Sequence, residues 1–216
     1  MSNALTHTVE ATAPGREPLR REQLKAGPIE QFAVWFEQAC ERNLLEPNAM
    51  SLATAGADGR ATARLVLLKK FDARGFVFFT NLESKKSRHI SQNNQVSLLF
   101  PWLALGRQVI VQGTAEKIPA SETMAYFVTR PFGSRLGAWV SQQSSIITSR
   151  KLLEMKWEEM KRKFSDGQVP LPSFWGGYRV QPHEVEFWQY SADEIHDRFM
   201  YTRQAGGSWR LERVAP

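Results

Sequence analysis

The sequence predicts a mainly β protein, an antiparallel barrel with flanking helices. Three observations lead there. Strand-like runs follow one another at hairpin spacing, joined by turn-forming residues. Helical stretches are inserted among these runs rather than alternating with them. No G-x-G-x-x-G follows a strand and no G-x-x-x-x-G-K-[ST] occurs, so a doubly wound nucleotide fold is disfavoured.

The elements follow in order. Met1 to Gly27 is polar and aperiodic, holds Pro14, Gly15 and Pro18, and reads as a mobile arm. The domain proper is expected over residues 28–216. Pro28 can open a helix at its first turn. Phe32, Trp35, Phe36, Ala39 and Cys40 recur at helical spacing, which predicts a helix from Pro28 to Leu45, stopped at Pro47-Asn48. Strands are predicted over Met50–Ala55, Ala61–Lys70 and Gly75–Thr80, with turns at residues 56–59 and 72–75. Ser84 is the predicted N-cap of a helix ending at Gln92. Gln95–Trp102 and Arg107–Ile118 are the next strands. Helices are expected over Ser121–Thr129, Arg135–Val140 and Ser149–Phe164, with a loop from Arg130 to Ser134 and a proline-containing loop from Ser165 to Ser173. Gly177–Gln181, Glu184–Gln189 and Arg198–Arg203 are the closing strands. The last turns at Gly206-Gly207 into Ser208–Val214.

A chain of 216 residues can bury a sizeable core, and 42% hydrophobic content makes disorder the wrong default. Seven Trp and thirteen Phe supply aromatic faces for a core or for a flat ligand. The net charge of +6 admits a nucleic-acid partner. Its cations are scattered among acids, however, which fits phosphorylated small molecules better. Cys40 is the sole cysteine, so no intrachain disulfide and no cysteine-rich metal site can form, and a reducing cytoplasm is the expected setting. No signal-peptide layout and no membrane-length apolar run occurs in the sequence.

The richest stretch for chemistry runs from Arg64 to Lys86. Hydroxyls and cations gather at its strand ends and at a helix start, which suits a dianionic phosphate. Arg64 and Lys69 are five apart. A regular strand would put them on opposite faces, unless one lies beyond the strand end. Lys85 and Lys86 stand at a helix start, where the dipole disfavours cations unless an anion is near. Gln108 could present its amide to a heterocycle edge. Tyr126, Arg130 and Ser134 are spaced by four, the spacing of one helix face, but Pro131 interrupts it. Gln142 to Ser145 form a polar cluster in need of partners. His196-Asp197-Arg198 is a dense polar triplet, yet strand neighbours point apart, so it is no charge relay. Without G-x-S-x-G, H-E-x-x-H or zinc spacing, hydrolase and metalloenzyme readings are disfavoured.

Taken together, these segments resemble the pyridoxine/pyridoxamine 5′-phosphate oxidase family. The match is carried by Arg64–Lys69, Phe79-Thr-Asn81 with Ser84-Lys-Lys86, and Ser97–Trp102. It continues through Arg107-Gln108-Val109, Arg130-Pro131, Gly137–Ser141 with Gln143-Ser-Ser145, and Val169–Gly177. Glu186–Gln189, His196–Phe199 and the closing Ala215-Pro216 complete it. The resemblance runs in unbroken order from about Pro28 to the C-terminus. It implies a split β-barrel of the FMN-binding type, in a homodimer with FMN at the interface.

Carried over residue by residue, the resemblance implies an FMN set of Arg64, Lys69, Phe79, Thr80, Lys85, Lys86, Gln108, Gln143, Ser144, Trp188 and Arg198. Lys69, Tyr126, Arg130 and Ser134 would hold the substrate phosphate. Glu194 and His196 would lie near the pyridine ring, with His196 as the catalytic group. The implied reaction passes a hydride from the substrate's 4′ carbon to flavin N5. Dioxygen then reoxidises the flavin to give hydrogen peroxide, and an amine substrate also releases ammonia. Neither nucleic acid nor membrane is an implied partner.

Two positions depart from the family pattern. Where the family has R-x-H-D-R, this chain has Glu194-Ile-His196-Asp-Arg198, and a carboxylate near a phosphorylated ligand reverses the local charge. The family's R-x-E-Y segment falls at Ala11–Pro14 and does not match. Two rival readings follow: a flavin oxidase of the same fold on another small molecule, and a non-catalytic FMN- or pyridoxal-phosphate-binding protein.

Overall fold

The longest strand organises the rest. The computed structural model describes residues 17–216. It has nine strands in one wholly antiparallel sheet and five α-helices around it. The strands are β1 (Ala49–Ala55), β2 (Ala61–Leu67), β3 (Lys70–Asp72), β4 (Gly75–Asn81), β5 (Gln95–Trp102), β6 (Arg107–Lys117), β7 (Trp175–Gln189), β8 (Asp197–Arg203) and β9 (Trp209–Val214). The helices are α1 (Pro28–Glu41), α2 (Lys85–Gln92), α3 (Ala120–Thr129), α4 (Phe132–Val140) and α5 (Arg150–Lys163).

The main path runs β2-β1-β5-β6-β7-β4-β3. β6 lies along one edge of β7. The other edge is divided: β4 pairs with its first half, Trp175 to Val180, and β8 with its second, Glu184 to Gln189. Between the halves the β6 register slips by one residue, where Gly113 faces Pro182 and Gln112 faces Glu184. Proline is tolerated in a strand at such a bulge, because no ladder donor is required there. The ends of β2 and β4 line one cleft, so the sheet curls into a half-barrel. The predicted fold class is therefore the observed one.

The core fills the curl. α1 starts with Pro28 in its first turn and buries Phe32, Trp35 and Ala39. Phe32 is wholly buried, with its ring centroid 4.8–5.7 Å from Phe36, Phe71, Phe76, Phe100 and Trp102. Along β1 the residues Met50, Leu52 and Thr54 alternate inward. β2, the sheet edge, has no fully buried residue. A second cluster of Phe127, Leu136, Phe164, Val169 and Trp175 seats α3 and α4 beside the start of β7.

Several predicted boundaries need correction. The strands predicted over Gly177–Gln181 and Glu184–Gln189 are one strand, because the bulge absorbs Pro182. The predicted Ala61–Lys70 strand ends at Leu67, and Lys70 belongs to the short β3. α1 stops at Glu41, well before Pro47, with Asn43 in the left-handed region at φ 52°. α3 begins at Ala120, with Pro119 in the N-cap position, one residue before the predicted start at Ser121. α4 begins at Phe132, so Ser134 is helical and not in a loop. Ser84 occupies the N-cap position of α2 but makes no capping bond; its hydroxyl meets Ser87 instead, at 3.3 Å.

Of the stretch read as an arm, residues 1–16 lie outside the described residues, and with them the Ala11–Pro14 departure. From Glu17 the backbone is held against the C-terminal strands. Leu19 N–H donates to Asp197 at 2.6 Å, Gln189 donates to the Glu17 carbonyl at 3.0 Å, and Tyr201 donates to the Lys25 carbonyl at 2.7 Å. No helix of the described residues is long and apolar enough to cross a membrane.

Phe32 joins α1 to both walls of the half-barrel, so Phe32→Ala should destabilise the protein by about 3–5 kcal/mol. Urea unfolding followed by tryptophan fluorescence measures it.

Candidate functional site

A cleft of about 620 Å³ opens between the ends of β2 and β4, the start of α2, and the α3–α4 junction. Lys69, Phe79, Thr80, Lys86, Tyr126, Arg130, Ser134 and Gln143 all line it. Lys69 lies past the end of β2, and its N–H donates to the Val77 carbonyl at 2.9 Å. The expected conflict of strand faces with Arg64 is thereby resolved by leaving the strand. Tyr126 and Arg130 come from the end of α3 and Ser134 from the first turn of α4. Pro131 does interrupt the helix, and the two short helices still bring the three groups to one wall.

Aromatic rings form a shelf in this wall. Phe79 stacks on Tyr126 with centroids 4.1 Å apart and on Trp175 at 5.3 Å. Gly177, opposite Phe79 in the ladder, makes room: a Cβ there would stand 2.9 Å from the Phe79 ring. The Arg130 guanidinium lies 4.6 Å over Trp175, and its Nη1 is buried without a hydrogen-bond acceptor among the described residues. Burial lowers the Arg130 pKa.

A second wall carries Lys86. Its ammonium is buried and donates to Gln143 Oε1 at 2.6 Å and to Thr80 Oγ1 at 3.1 Å. Burial, and then the charge of Arg64, pull its pKa down from 10.5 to about 8. Arg64 donates to the Leu52 carbonyl and to Thr54 at 3.0 and 2.7 Å, and also to Thr62. Burial lowers its pKa as well. Lys85 is exposed; its backbone N–H donates to the Ser144 hydroxyl at 3.2 Å, and Ser144 is in the left-handed region at φ 73°. The 142–145 cluster is exposed within the chain, and part of its need for partners is met when Gln143 meets Lys86 and Thr80.

Arg64, Lys69, Lys86 and Arg130 make no ion pair with any described residue. Lys86 is buried, Arg64 and Arg130 are half-buried and Lys69 is exposed; desolvated cations without counter-charges are costly and fit an anionic ligand. The donor set, with an orphaned guanidinium N–H and a desolvated ammonium, suits phosphate groups.

The remaining predicted residues sit elsewhere. Gln108, Trp188 and Arg198 are in register across β6, β7 and β8, forming one row. Thr80 faces Gly176, twelve residues before Trp188 on the same strand, a separation of about 40 Å at ~3.3 Å per residue. One chain therefore does not bring the two groups together. Arg198 donates to both oxygens of Glu186, at 2.8 and 3.3 Å, and to the Ala215 carbonyl at 2.7 Å. His196 packs on Trp188 at 4.9 Å, and its Nε2 is 3.6 Å from the Glu194 carboxylate. Asp197 is buried and bonds Arg213 and Leu19 rather than His196.

Three residues gained no role from the sequence. Trp175 floors the aromatic shelf, Asn81 donates to the Ser141 carbonyl at 3.1 Å, and Glu186 anchors Arg198. Glu186 was detectable in principle, since it stands two residues before Trp188 and so shares its face.

The fold and the cleft define a split-barrel protein built for a phosphorylated ligand. Residues 36–164 match the family model "Pyridoxamine 5′-phosphate oxidase" and residues 175–216 match "Pyridoxine 5′-phosphate oxidase C-terminal dimerisation region". Relatives named pyridoxine/pyridoxamine 5′-phosphate oxidase include that of Rippkaea orientalis, 57% identical over 93% of this chain and 95% of the relative. That of Dichelobacter nodosus is 54% identical over 92% and 93%. Among solved structures, PhzG of Burkholderia lata in complex with tetrahydrophenazine-1-carboxylic acid is 30% identical at a TM-score of 0.87, covering 94% of this chain and all of its own. A pyridoxamine 5′-phosphate oxidase-related, FMN-binding protein of Nostoc punctiforme shares the fold at a TM-score of 0.71 and 17% identity, over 89% of this chain and all of its own. The chain belongs to the pyridoxamine 5′-phosphate oxidase family.

Lys86 ties the cleft to pH. Without an anion it loses its proton between about pH 8 and 10.5, where the unfolded chain still holds it, so the stability contribution of this group rises with pH across that window. A bound phosphate monoester restores the charge. Binding should then take up almost no proton at about pH 7, where the phosphate is already mostly dianionic and Lys86 mostly charged, and close to one at about pH 9. Calorimetry in buffers of different ionisation enthalpy measures the uptake, and Lys86→Met should abolish its pH dependence.

Proposed function

We propose that the protein oxidises pyridoxine 5′-phosphate and pyridoxamine 5′-phosphate to pyridoxal 5′-phosphate, using FMN, with dioxygen as the electron acceptor. The observation that carries this reading is the set of three cations that line one cleft, Lys69, Lys86 and Arg130, with Arg64 near enough to Lys86 to lower its pKa, and none of the four has an acidic partner among the described residues. Two phosphorylated molecules, a cofactor and a substrate, account for more of that charge than one. The named relatives, at half or more identity over nearly their whole length, support these substrates above the rival oxidase on another molecule and the non-catalytic binder.

In this reading Arg64, Thr80, Lys85, Lys86, Gln143 and Ser144 hold the FMN phosphate end. Lys69, Tyr126, Arg130 and Ser134 hold the substrate phosphate, with Lys69 between the two ligands. Phe79 and the rings stacked on it form the adjoining wall. FMN, when bound, supplies the hydride acceptor and delivers the electrons to dioxygen. Gln108, Trp188 and Arg198 meet the flavin, and His196 meets the substrate ring, from the far end of β7. Because about 40 Å of strand separates the two groups within one chain, the far group is supplied by a second copy. A homodimer with FMN at its interface gives two complete sites.

Purified protein should be yellow and release hydrogen peroxide with either phosphorylated substrate; a protein that takes up no FMN sinks the reading. Arg130→Ala should raise KM by about 10- to 100-fold, the loss of one charge-assisted contact or more, with FMN content unchanged. The shared site has its own check. Lys86→Met and Trp188→Ala damage opposite ends, so each alone should be inactive. Mixed and re-paired at random, half the dimers carry one intact site, restoring roughly a quarter of wild-type activity.

A further inference from the structure

Glu194 sits in an unusual place for its residue type. It closes a turn in which its N–H donates to the Ser191 carbonyl at 3.3 Å, and its φ of 62° lies in the left-handed region, where a side chain such as glutamate is uncommon. Its carboxylate is exposed and meets only one titratable partner among the described residues, His196, at 3.6 Å. The nearby guanidinium groups are committed elsewhere: Arg198 to Glu186, and Arg213 to Asp197. The carboxylate is therefore free to meet a cation from outside the chain.

The geometry around His196 aims that carboxylate. Ser191 N–H donates to His196 Nδ1 at 3.2 Å, so the neutral ring carries its proton on Nε2, the atom facing Glu194. Trp188 and Tyr190 wedge the ring at 4.9 and 5.3 Å. Trp188 belongs to the row assigned to the flavin, so the Glu194–His196 pair sits where a substrate's reacting substituent would face the flavin.

We propose that Glu194 is a specificity-determining residue that recognises the 4′-ammonium of pyridoxamine 5′-phosphate and favours the amine over the alcohol. This rests on the function proposed above. The two substrates share ring, 3-hydroxyl and phosphate, and differ only in carrying –CH₂NH₃⁺ or –CH₂OH at the 4′ position. Whatever the carboxylate does to the shared groups cancels in the ratio of the two affinities, and only its attraction for the ammonium remains. For a solvent-exposed pair near contact distance, that preference is about five- to tenfold.

The test uses flavin-loaded dimer reduced with dithionite under nitrogen, so that ligands bind without turnover. Dissociation constants for the two phosphorylated substrates are measured by tryptophan fluorescence in the wild type and in Glu194→Gln, which keeps the size and the exposed position of the side chain. Glu194→Gln should lower the preference for the amine over the alcohol by about five- to tenfold, whatever it does to the affinity the two ligands share, and added salt should narrow the wild-type preference. The kcat/KM ratio of the two substrates in the reoxidising enzyme should fall in parallel. If both ligands bind and the variant leaves their affinity ratio unchanged, the inference is overturned while the function stands. If the wild type binds neither, the function falls and the inference with it.

Discussion

The structure depends on one strand keeping a single partner along most of one edge, Tyr178 to Gln189, and changing partner on the other. β7 runs for fifteen residues. β6 holds it from Tyr178 on, while β4 and β8 take successive halves of its opposite edge. The change of partner needs a local break in the ladder, and the Pro182–His183 bulge supplies it. From this follow the curl of the sheet, the cleft at one end of β7, and the Gln108–Trp188–Arg198 row at the other. A strand that stopped at Gln181 would lose the C-terminal hairpin, and with it every predicted residue from Trp188 to Arg198.

The cations of this protein fall into two energetic classes. Arg179 is buried and shares Asp72 and Glu122 at 2.8 and 3.0 Å, and Arg198 shares Glu186. These charges are neutralised within the chain and order its strands. Arg64, Lys69, Lys86 and Arg130 have no such partner among the described residues. Desolvation without a counter-charge raises the energy of the free protein, and the lowered pKa of Lys86 registers that cost. A phosphorylated ligand offsets that cost by supplying the missing counter-charge. Lys86 is held by Thr80 and Gln143, and Arg130 lies over Trp175, so these donors are placed before any anion arrives.

How far the sequence carried this depends on the kind of contact. Turn chemistry and alternation located every strand but the short β3 to within a few residues, because both are written in neighbouring positions. Pro182 was misread as a strand boundary, since a bulge is defined by the partner strand and not by the residue itself. The same limit governed the site. Tyr126, Arg130 and Ser134 were noticed by their spacing, but their meeting depends on the angle between α3 and α4. The family resemblance assembled one list of FMN residues. Only the ladder register divides that list into groups at opposite ends of β7.

That division bears on the exposed surfaces of the single chain. Residues 141–150 are exposed throughout, with Ile146 fully so, and Leu65 is 72% exposed on the edge strand β2. These residues flank the cleft: Leu65 lines it, and Gln143 reaches into it from the exposed loop. An apolar side chain left in water beside a ligand cleft is better explained by an absent neighbour than by poor packing, because the core elsewhere is filled. The residues from 175 onward match a dimerisation region, and that stretch carries Trp188, His196 and Arg198. In the proposed homodimer a single act of association would cover the apolar loop and deliver the far half of the site to the near half. Folding of the chain and completion of its cleft are then separate events, and the second is concentration-dependent even when the first is not.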